Sequence, residues 1–143
     1  MIKTAVLCLA LNVFYEARSE PIIAQKAVAQ VVMNRVRQDG FPNDVCKVVY
    51  QKGQFSWVSS VGSQGLPKVS FEKDPIEFEA WQQALLIASR TLRRKEPDVT
   101  GGATHFHRIG KHPKWRKELQ KVGRFGKHIF YKPRCQKETA CQN

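Results

Sequence analysis

The sequence predicts an α+β fold that is mostly helical, with a small β-hairpin or sheet. Apolar residues recur at helical spacing in three long segments, and Gly, Ser and aromatic residues between 52 and 67 suit a hairpin and loop. A strand-like "HIFY" follows near the C-terminus. The 143 residues, 42% of them hydrophobic, suit one compact domain spanning 1–143 with a real core.

The first helix is predicted from about residue 2 to Arg18, because apolar residues recur at helical spacing through this segment. Pro21 disfavours a helical residue before it, so this helix should end near Ser19. The apolar start resembles the central part of a signal peptide, but no small-residue cleavage site follows cleanly. It is also shorter than the roughly 20 residues of a membrane span. We interpret it as a core helix, with an uncleaved export or arrest signal as the alternative.

A second helix is predicted from its apolar stripe, which comprises Ala24, Ala27, Val28, Val31, Val32 and Val36. The sequence "QDG" after Arg37 supplies its stop, and "FPNDVCKVVYQ" then suits a short helix or turn. A third long helix is predicted to begin at Asp74-Pro75, with Glu77 reaching back to the cap. Its expected buried face consists of Phe78, Trp81, Leu85, Ala88 and Leu92.

The C-terminal part is predicted to contain a strand-like piece around "GGATHFH", a short helix and a final strand at "HIFY". The short helix would carry Trp115, Leu119 and Val122, which more often belong to a core than to a ligand site. The surrounding basic residues would then form a solvated face.

The protein is strongly basic, with a net charge of +12 from 24 Lys and Arg against 12 Asp and Glu. Residues 111–137 hold ten Lys or Arg and one acid, Glu118. This predicts attraction to polyanions, among which nucleic acid, anionic membrane surfaces and anionic cell-wall polymers all qualify. The basic surface should therefore lie in the C-terminal part, at 111–137.

The four cysteines show none of the paired spacings of a zinc site. Cys8 lies in an apolar run and is interpreted as a small buried side chain. Cys135 and Cys141 can pair if the protein reaches an oxidising compartment, and the sequence leaves this open.

Glu16, in "FYEARSEP", is the strongest candidate for chemistry. In the last turn of the first helix, the negative helix end and the rings of Phe14 and Tyr15 would both disfavour its ionisation. A carboxyl group kept protonated near neutral pH is suited to act as a general acid. The alternative is an ordinary surface glutamate paired with Arg18 or Lys26.

Several motifs occur in the order and spacing of one known family. They are "LALNVFYEARSEP", "AQKAVAQVVMNRV", "FPNDVC", "GQFSW", "DVTGGATHFH", "HPKW" and "VGRFGKHIFY". Over residues 8 to 131 the chain resembles the SleB-type cell-wall hydrolases, the spore-cortex-lytic enzymes and their phage relatives.

The resemblance implies a lysozyme-like fold of the lysozyme superfamily and cleavage of the peptidoglycan bond between muramic acid and glucosamine. The glutamate of the family's "EARGE" motif is its catalytic acid, and it matches Glu16. Where the family usually has glycine, this chain has Ser19, which could alter the turn after the helix. The residue before the "QFSW" core is Gly53.

One carboxylate suits a lytic transglycosylase, in which the acid protonates the glycosidic oxygen and then, as a base, helps the muramoyl C6 hydroxyl attack C1. Hydrolysis by a muramidase with water is the alternative, and needs a second acid roughly 5 to 9.5 Å away. Glu20 is the nearest candidate, although it can instead cap the second helix.

Further residues are expected to contact the sugar chain. Tyr15, Gln54, Ser56 and Trp57 can offer stacking and polar contacts, with Gln54 and Ser56 on one face of a strand. For Phe55, a core position is favoured, and Trp57 can also belong to the core.

Thr104, His105 and His107 lie in the predicted strand, where the two histidines would face the same way. Three interpretations are open for this pair of histidines: contacts in the groove, zinc ligation together with His112 or Glu16, and a purely structural role. We expect groove contacts, with no metal and no cofactor.

We expect a monomeric peptidoglycan-degrading enzyme that serves as a phage endolysin. Its expected partners are glycan strands, and anionic envelope polymers or lipids are candidates for additional partners. It would accumulate in the host cytoplasm without a cleavable signal and act in the periplasm or cell wall after membrane permeabilisation. A basic nucleic-acid-binding module is the rival class, but the sequence lacks a recognisable nucleic-acid motif, and we expect no nucleic-acid partner. A metal-dependent wall amidase is a third hypothesis, and it depends on His105 and His107 as metal ligands.

Overall fold

The computed structural model describes residues 4–61 and 73–135. The helices are α1 (Ala5–Ala17), α2 (Ile22–Arg37), α3 (Val45–Val49), α4 (Trp57–Val61) and α5 (Pro75–Leu92). The strands are β1 (His105–Arg108), β2 (Leu119–Phe125) and β3 (His128–Pro133), with a 3₁₀ helix at Lys114–Lys117. They form one antiparallel sheet in the order β1-β3-β2. The predicted class, mostly helical with a small sheet, is confirmed.

The helix α1 is the centre of the helical core. It packs against α2, α3 and α5, and it is buried along most of its length. The hydroxyl of Thr4 accepts a hydrogen bond from the Leu7 N–H and caps its start. The interpretation of the apolar run as a core helix is therefore confirmed. In the described ranges no helix is long and apolar enough to cross a bilayer.

A second apolar cluster joins α2 to the sheet. Ala27, Val28 and Val31 pack with Ala103 and Phe130, a central residue of β3. The chain thus places its sheet against one side of α2, while α1 and α5 form the main core. The space between the sheet and the helical core is where the candidate site lies.

The third long helix begins as predicted, since Asp74 accepts a hydrogen bond from the Glu77 N–H and Pro75 is its first residue. Its buried face differs from the predicted one. Trp81 and Ala88 are buried, but Phe78 is exposed and the other buried positions are Ala84, Ile87 and Thr91. The buried face of α5 is the one that packs against α1, and it is not the face with the most large apolar side chains.

Two predicted elements are wrong. The segment predicted as a hairpin forms a turn and then α4 at 57–61, and the rest of that prediction, residues 62–67, lies outside the described residues. Leu119 and Val122 lie in β2, not in a helix, and Trp115 lies in the 3₁₀ helix. Their helical spacing is overridden because β3 pairs with β2 along its length.

Cys8 is a small buried side chain, as predicted, but its sulfur is also part of a disulfide. Cys8 forms a disulfide with Cys46, which joins α1 to α3 across a separation of 38 residues. Their Cα atoms lie 5.3 Å apart, and the Cys8 side chain is fully buried. Cys135 is also disulfide-bonded, whereas Cys141 lies outside the described residues.

Candidate active site

Glu16 lies in the last turn of α1 and faces a cleft of about 730 Å³ between the helical core and the sheet. The helical wall comes from α1, α2, the C-terminal end of α3, and α4 with the segment that leads into it. The rest of the lining comes from β1, the turn after it and the start of β3. The lining residues are Tyr15, Glu16, Arg35, Tyr50, Lys52, Gly53, Gln54, Phe55, Ser56, Trp57, Val58, Ser59, Phe106, His107, Arg108, Lys111 and His128.

Burial raises the pKa of Glu16 to about 7, because the ionised carboxylate loses hydration in this partly buried position. The nearby guanidinium of Arg35 opposes the shift by stabilising the negative charge. The carboxyl group is therefore divided between its two protonation states near neutral pH. Such a group can donate a proton and take one back at the same pH.

If Glu16 were an ordinary surface glutamate, Arg18 or Lys26 would be expected to pair with it. Both cations pair with other acids. Arg18 Nε lies 3.1 Å from a carboxylate oxygen of Glu77, and Lys26 Nζ lies 3.3 Å from Glu96. Both carboxylate oxygens of Glu77, the residue predicted to reach back to the cap, lie close to Nε of Arg18.

Arg35 is the functional candidate that sequence reasoning missed. It is only 4% exposed and belongs to α2, where its position continues the apolar stripe through Ala24, Val28 and Val31. A charged residue on a buried helix face was the available signal, since isolated buried charges are costly. The guanidinium lies over the ring of Phe55, with its carbon 5.2 Å from the ring centroid.

Two hydrogen bonds hold Arg35 between the walls. Its Nε donates to the carbonyl of Thr104 at 2.7 Å, and Nη1 donates to Oε1 of Gln54 at 3.2 Å. Burial lowers the pKa of Arg35 to about 10, which leaves it cationic at neutral pH. It is therefore a fixed positive charge that lines the same cleft as Glu16.

Tyr15 and Trp57 form a stacked pair beside Glu16, with ring centroids 4.9 Å apart. Trp57 is 6% exposed, and its Nε1 donates a hydrogen bond of 2.8 Å to Oδ1 of the fully buried Asn12. The indole is thus held as part of the core while its edge lines the cleft. The sugar contact of Trp57 stays a prediction beside its place in the core, and Tyr15 is the more accessible ring.

Gln54 and Ser56 are both exposed and line the cleft. They belong to the turn before α4, so the predicted shared strand face is wrong even though both residues reach the groove. Gly53 precedes them with a φ of +77°, a left-handed conformation that favours glycine. The turn presents Gln54 to Arg35.

The three predicted residues of the sheet separate into two groups. His107 lines the cleft, and its Nε2 lies 2.8 Å from the hydroxyl oxygen of Tyr131. Thr104 is 1% exposed, and its hydroxyl lies 2.9 Å from Nδ1 of His105. Neither Thr104 nor His105 is among the described residues that line the cleft, and their groove contacts stay predictions.

The two histidines do face the same way, as predicted, because both pack against Trp115. His105 is neutral at physiological pH, since burial lowers its pKa to about 4. His112 is exposed and contacts Arg116. Within 4–61 and 73–135, no group of three His, Cys, Asp or Glu side chains is arranged to hold a metal ion.

A smaller cleft of about 410 Å³ adjoins the larger one, and Glu16, Tyr15, Arg108 and His128 line both. Glu16 therefore stands where the two clefts meet. This arrangement leaves room for a chain-like substrate on both sides of the carboxyl group.

Glu20 lines the smaller cleft, and one oxygen of its carboxylate is engaged. One oxygen accepts a hydrogen bond of 2.8 Å from the Lys127 N–H and lies 3.4 Å from Nδ1 of His128. It does not cap α2, which has no side-chain cap. Glu20 instead ties the α1–α2 turn to the β2–β3 turn, where a Cβ on Gly126 would lie 3.2 Å from its oxygen.

Ser19 is accommodated without strain where a glycine was expected. Among the non-glycine residues of the described ranges, Arg94 alone has a positive φ. The backbone of Ser19 therefore does not need glycine.

The fold places a carboxyl group whose pKa is raised to about 7 where two clefts meet. A family model described as cell wall hydrolase matches residues 19–131, and the chain belongs to this family. The match begins after Glu16, so the candidate role of that residue depends on its place in the cleft.

Relatives of known function are similar over most of this chain. The spore cortex-lytic enzyme of Bacillus cereus is 30% identical over 122 residues, and that of Halalkalibacterium halodurans is 31% identical over 119. The alignments cover 84% and 82% of this chain but only 41% and 32% of those proteins. The chain thus spans about a third to two fifths of the length of these relatives.

Two solved structures are similar to the whole architecture. The catalytic domain of the germination-specific lytic transglycosylase SleB from Bacillus anthracis has a TM-score of 0.69 and 28% identity, with 92% of this chain and 97% of that chain covered. The catalytic domain of Bacillus cereus SleB has a TM-score of 0.64 at 28% identity, with 92% and 93% covered. The SleB-type, lysozyme-like fold implied by the motifs is confirmed.

Proposed function

We propose that the chain degrades peptidoglycan by cleaving the glycosidic bond between muramic acid and glucosamine, with Glu16 as acid and base. The observation that carries this proposal is a carboxyl group with a pKa of about 7 at the meeting point of two clefts. Membership of the cell wall hydrolase family and the similarity to a lytic transglycosylase support the choice of substrate.

The reaction is a lytic transglycosylation. Protonated Glu16 donates its proton to the glycosidic oxygen as the bond to muramoyl C1 breaks. The resulting carboxylate takes the proton of the muramoyl C6 hydroxyl while that oxygen attacks C1. The products are a 1,6-anhydromuramoyl end and a free glucosamine hydroxyl, and Glu16 recovers its proton.

The distribution of acids supports a mechanism with one carboxyl group. Glu16 is the one acidic side chain among the described residues that line the larger cleft. In the smaller cleft one oxygen of Glu20 accepts a hydrogen bond from the Lys127 N–H and lies near His128, and Glu77 is paired with Arg18. A hydrolase with a second carboxylate would need an acid free to position water.

Mass spectrometry of muropeptides released from purified peptidoglycan tests the reaction. Anhydromuramoyl ends are expected, with no incorporation of ¹⁸O from labelled water. A reducing, ¹⁸O-labelled muramic acid would instead establish hydrolysis.

The same assay in the presence of EDTA tests for a metal. Activity is expected to persist in EDTA, and loss of activity would favour the metal-dependent amidase. Absence of any cleavage would overturn the proposal and leave the nucleic-acid module as the rival.

The proposed biological setting is a phage endolysin that reaches the wall after the inner membrane has been permeabilised. Its support is that α1 is a core helix ending beside Glu16, so removal of this apolar segment as a leader would destroy the site. In a bacterial host, expression alone should leave culture turbidity unchanged. A membrane-disrupting agent should then cause rapid lysis, but not with Glu16→Gln. Lysis without the agent would favour the export or arrest signal.

A further inference from the structure

The larger cleft is cationic around Glu16. Four side chains that line it carry a positive charge, and Glu16 is its one acid within the described part of the chain. Arg35 lies at its base, where it is buried and bonded to Thr104 and Gln54. The other three cations, Lys52, Arg108 and Lys111, are exposed.

These three exposed cations come from two separate segments that line the cleft. Lys52 belongs to the turn that leads into α4, whereas Arg108 ends β1 and Lys111 follows it in the next turn. The ion pairs found within 4–61 and 73–135 involve Arg18, Lys26, Arg90 and His128, and none of the three. Their charges are thus directed to solvent or to a ligand in the cleft.

The smaller cleft is close to neutral. Its lining includes Glu20 and Glu77 against Arg18 and Arg108, and Glu16 and Arg108 line both clefts. The groove therefore changes from cationic to nearly neutral across Glu16. A uniformly basic surface attracts any polyanion, but positive charge concentrated on one side of Glu16 favours a ligand whose negative charges lie on one side of the scissile bond.

We propose that Lys52, Arg108 and Lys111 form a binding site for the carboxylates of the stem peptide on the muramoyl residue next to the scissile bond. This inference rests on the proposed function and specifies its substrate as peptide-bearing, anionic glycan. The stem peptide leaves the sugar through the lactyl group and carries several free carboxylates. Because the cations come from two segments that line the same cleft as Glu16, they can hold this branch while the sugar backbone passes Glu16.

The site also orients the strand. A muramoyl residue held on the cationic side presents its C1 to Glu16 from the larger cleft, and the glucosamine leaving group then lies in the smaller one. Exposed ion pairs are individually weak, so the effect should appear as a several-fold preference that salt reduces.

Soluble, uncross-linked peptidoglycan strands provide the test. One half is kept native, and in the other half the peptide carboxylates are converted to methylamides with a carbodiimide. At low ionic strength, kcat/KM should be at least about fivefold higher on the native strands. The double variant Lys52→Gln/Lys111→Gln should reduce this ratio to about twofold or less. Added salt should reduce it in the same direction.

The matched control is Lys117→Gln/Lys121→Gln, which removes the same charge from exposed positions outside both clefts. Its native-to-amidated ratio should equal that of the unmodified protein. A ratio near one in the unmodified protein, or an equal fall in both double variants, would overturn the inference while leaving glycan cleavage intact.

Binding provides a readout that does not depend on turnover. Glu16→Gln should bind native strands at least about fivefold more tightly than amidated strands in calorimetry, and the cleft double variant in that background should lose this difference. If neither the native nor the amidated strands are cleaved, the proposed function is rejected, but the binding measurement still tests the carboxylate site. Equal binding of native and amidated strands would reject that site.

Discussion

Arg35 Nε donates a 2.7 Å hydrogen bond to the main-chain carbonyl of Thr104, and this bond joins α2 to the residue before β1 beneath the cleft. Through Nη1 the same guanidinium reaches Gln54 on the opposite segment. One buried side chain therefore connects three parts of the cleft and places a positive charge near Glu16. Its removal should affect both the geometry and the protonation of the site.

Arg35→Gln should move the alkaline limb of the pH–activity profile upward. The cation lowers the pKa of Glu16, so its loss leaves the desolvation that raises that pKa unopposed. Arg35→Lys should keep the limb near its original position while losing the forked hydrogen bonds. Arg37→Gln, at an exposed position of the same helix, is the control. An unchanged limb in Arg35→Gln would reject electrostatic coupling to Glu16.

Glu16→Gln should reduce the rate of glycan cleavage by about 10² to 10⁴-fold, because the amide keeps the shape but cannot donate a proton as an acid. Circular dichroism should remain unchanged. Glu77→Gln, in the smaller cleft, should retain most of the activity, since it removes only an exposed ion pair with Arg18. A Glu16→Gln enzyme with more than about a tenth of the original rate would exclude Glu16 as the acid.

Activity should fall as the pH rises through about 7, because the first step of the proposed reaction uses protonated Glu16. The raised folded-state pKa also gives stability that is present below the ordinary value of 4.5 and is lost as the pH rises through about 7. With allowance for partial exposure, the loss should be about 2 kcal/mol. Urea unfolding between pH 4 and 8 measures it, and Glu16→Gln should lack this component.

Trp57→Ala should reduce the free energy of unfolding by about 3 to 5 kcal/mol, since the indole is buried and packs on Tyr15. Trp57→Phe should cost about 1 to 3 kcal/mol, because Oδ1 of Asn12 loses its donor. Denaturant unfolding alongside steady-state kinetics separates stability from binding. A raised KM with unchanged stability would support the sugar-stacking interpretation.

Reduction of the Cys8–Cys46 disulfide should lower the free energy of unfolding by about 3 to 4 kcal/mol, as expected for closure of a loop of this separation. Cys46→Ala should show the same loss without reductant. Adding dithiothreitol to that variant controls for other effects of the reagent, including reduction at Cys135. An unfolding midpoint that is insensitive to reductant and to Cys46→Ala would contradict a stabilising role for this crosslink.

The sequence was most informative where local chemistry and neighbouring residues agree. The cap at Asp74 and the apolar stripe of α2 are local features, and both predicted their helices correctly. The position of Glu16 in the last turn of α1 followed from the same periodicity and the proline after it. Leu119 and Val122 were misassigned because pairing with β3, a nonlocal contact, decides their conformation.

By itself, the sequence determined the family, the main helices, the final strand and a candidate acid in an apolar setting, since each depends on short-range pattern or motif order. The tertiary structure decided which cations face Glu16, which cysteine Cys8 meets, and that one oxygen of Glu20 is engaged by the β2–β3 turn. These relationships join residues far apart in the chain. Their distances depend on how α2, the sheet and α1 pack, and no local spacing contains that information.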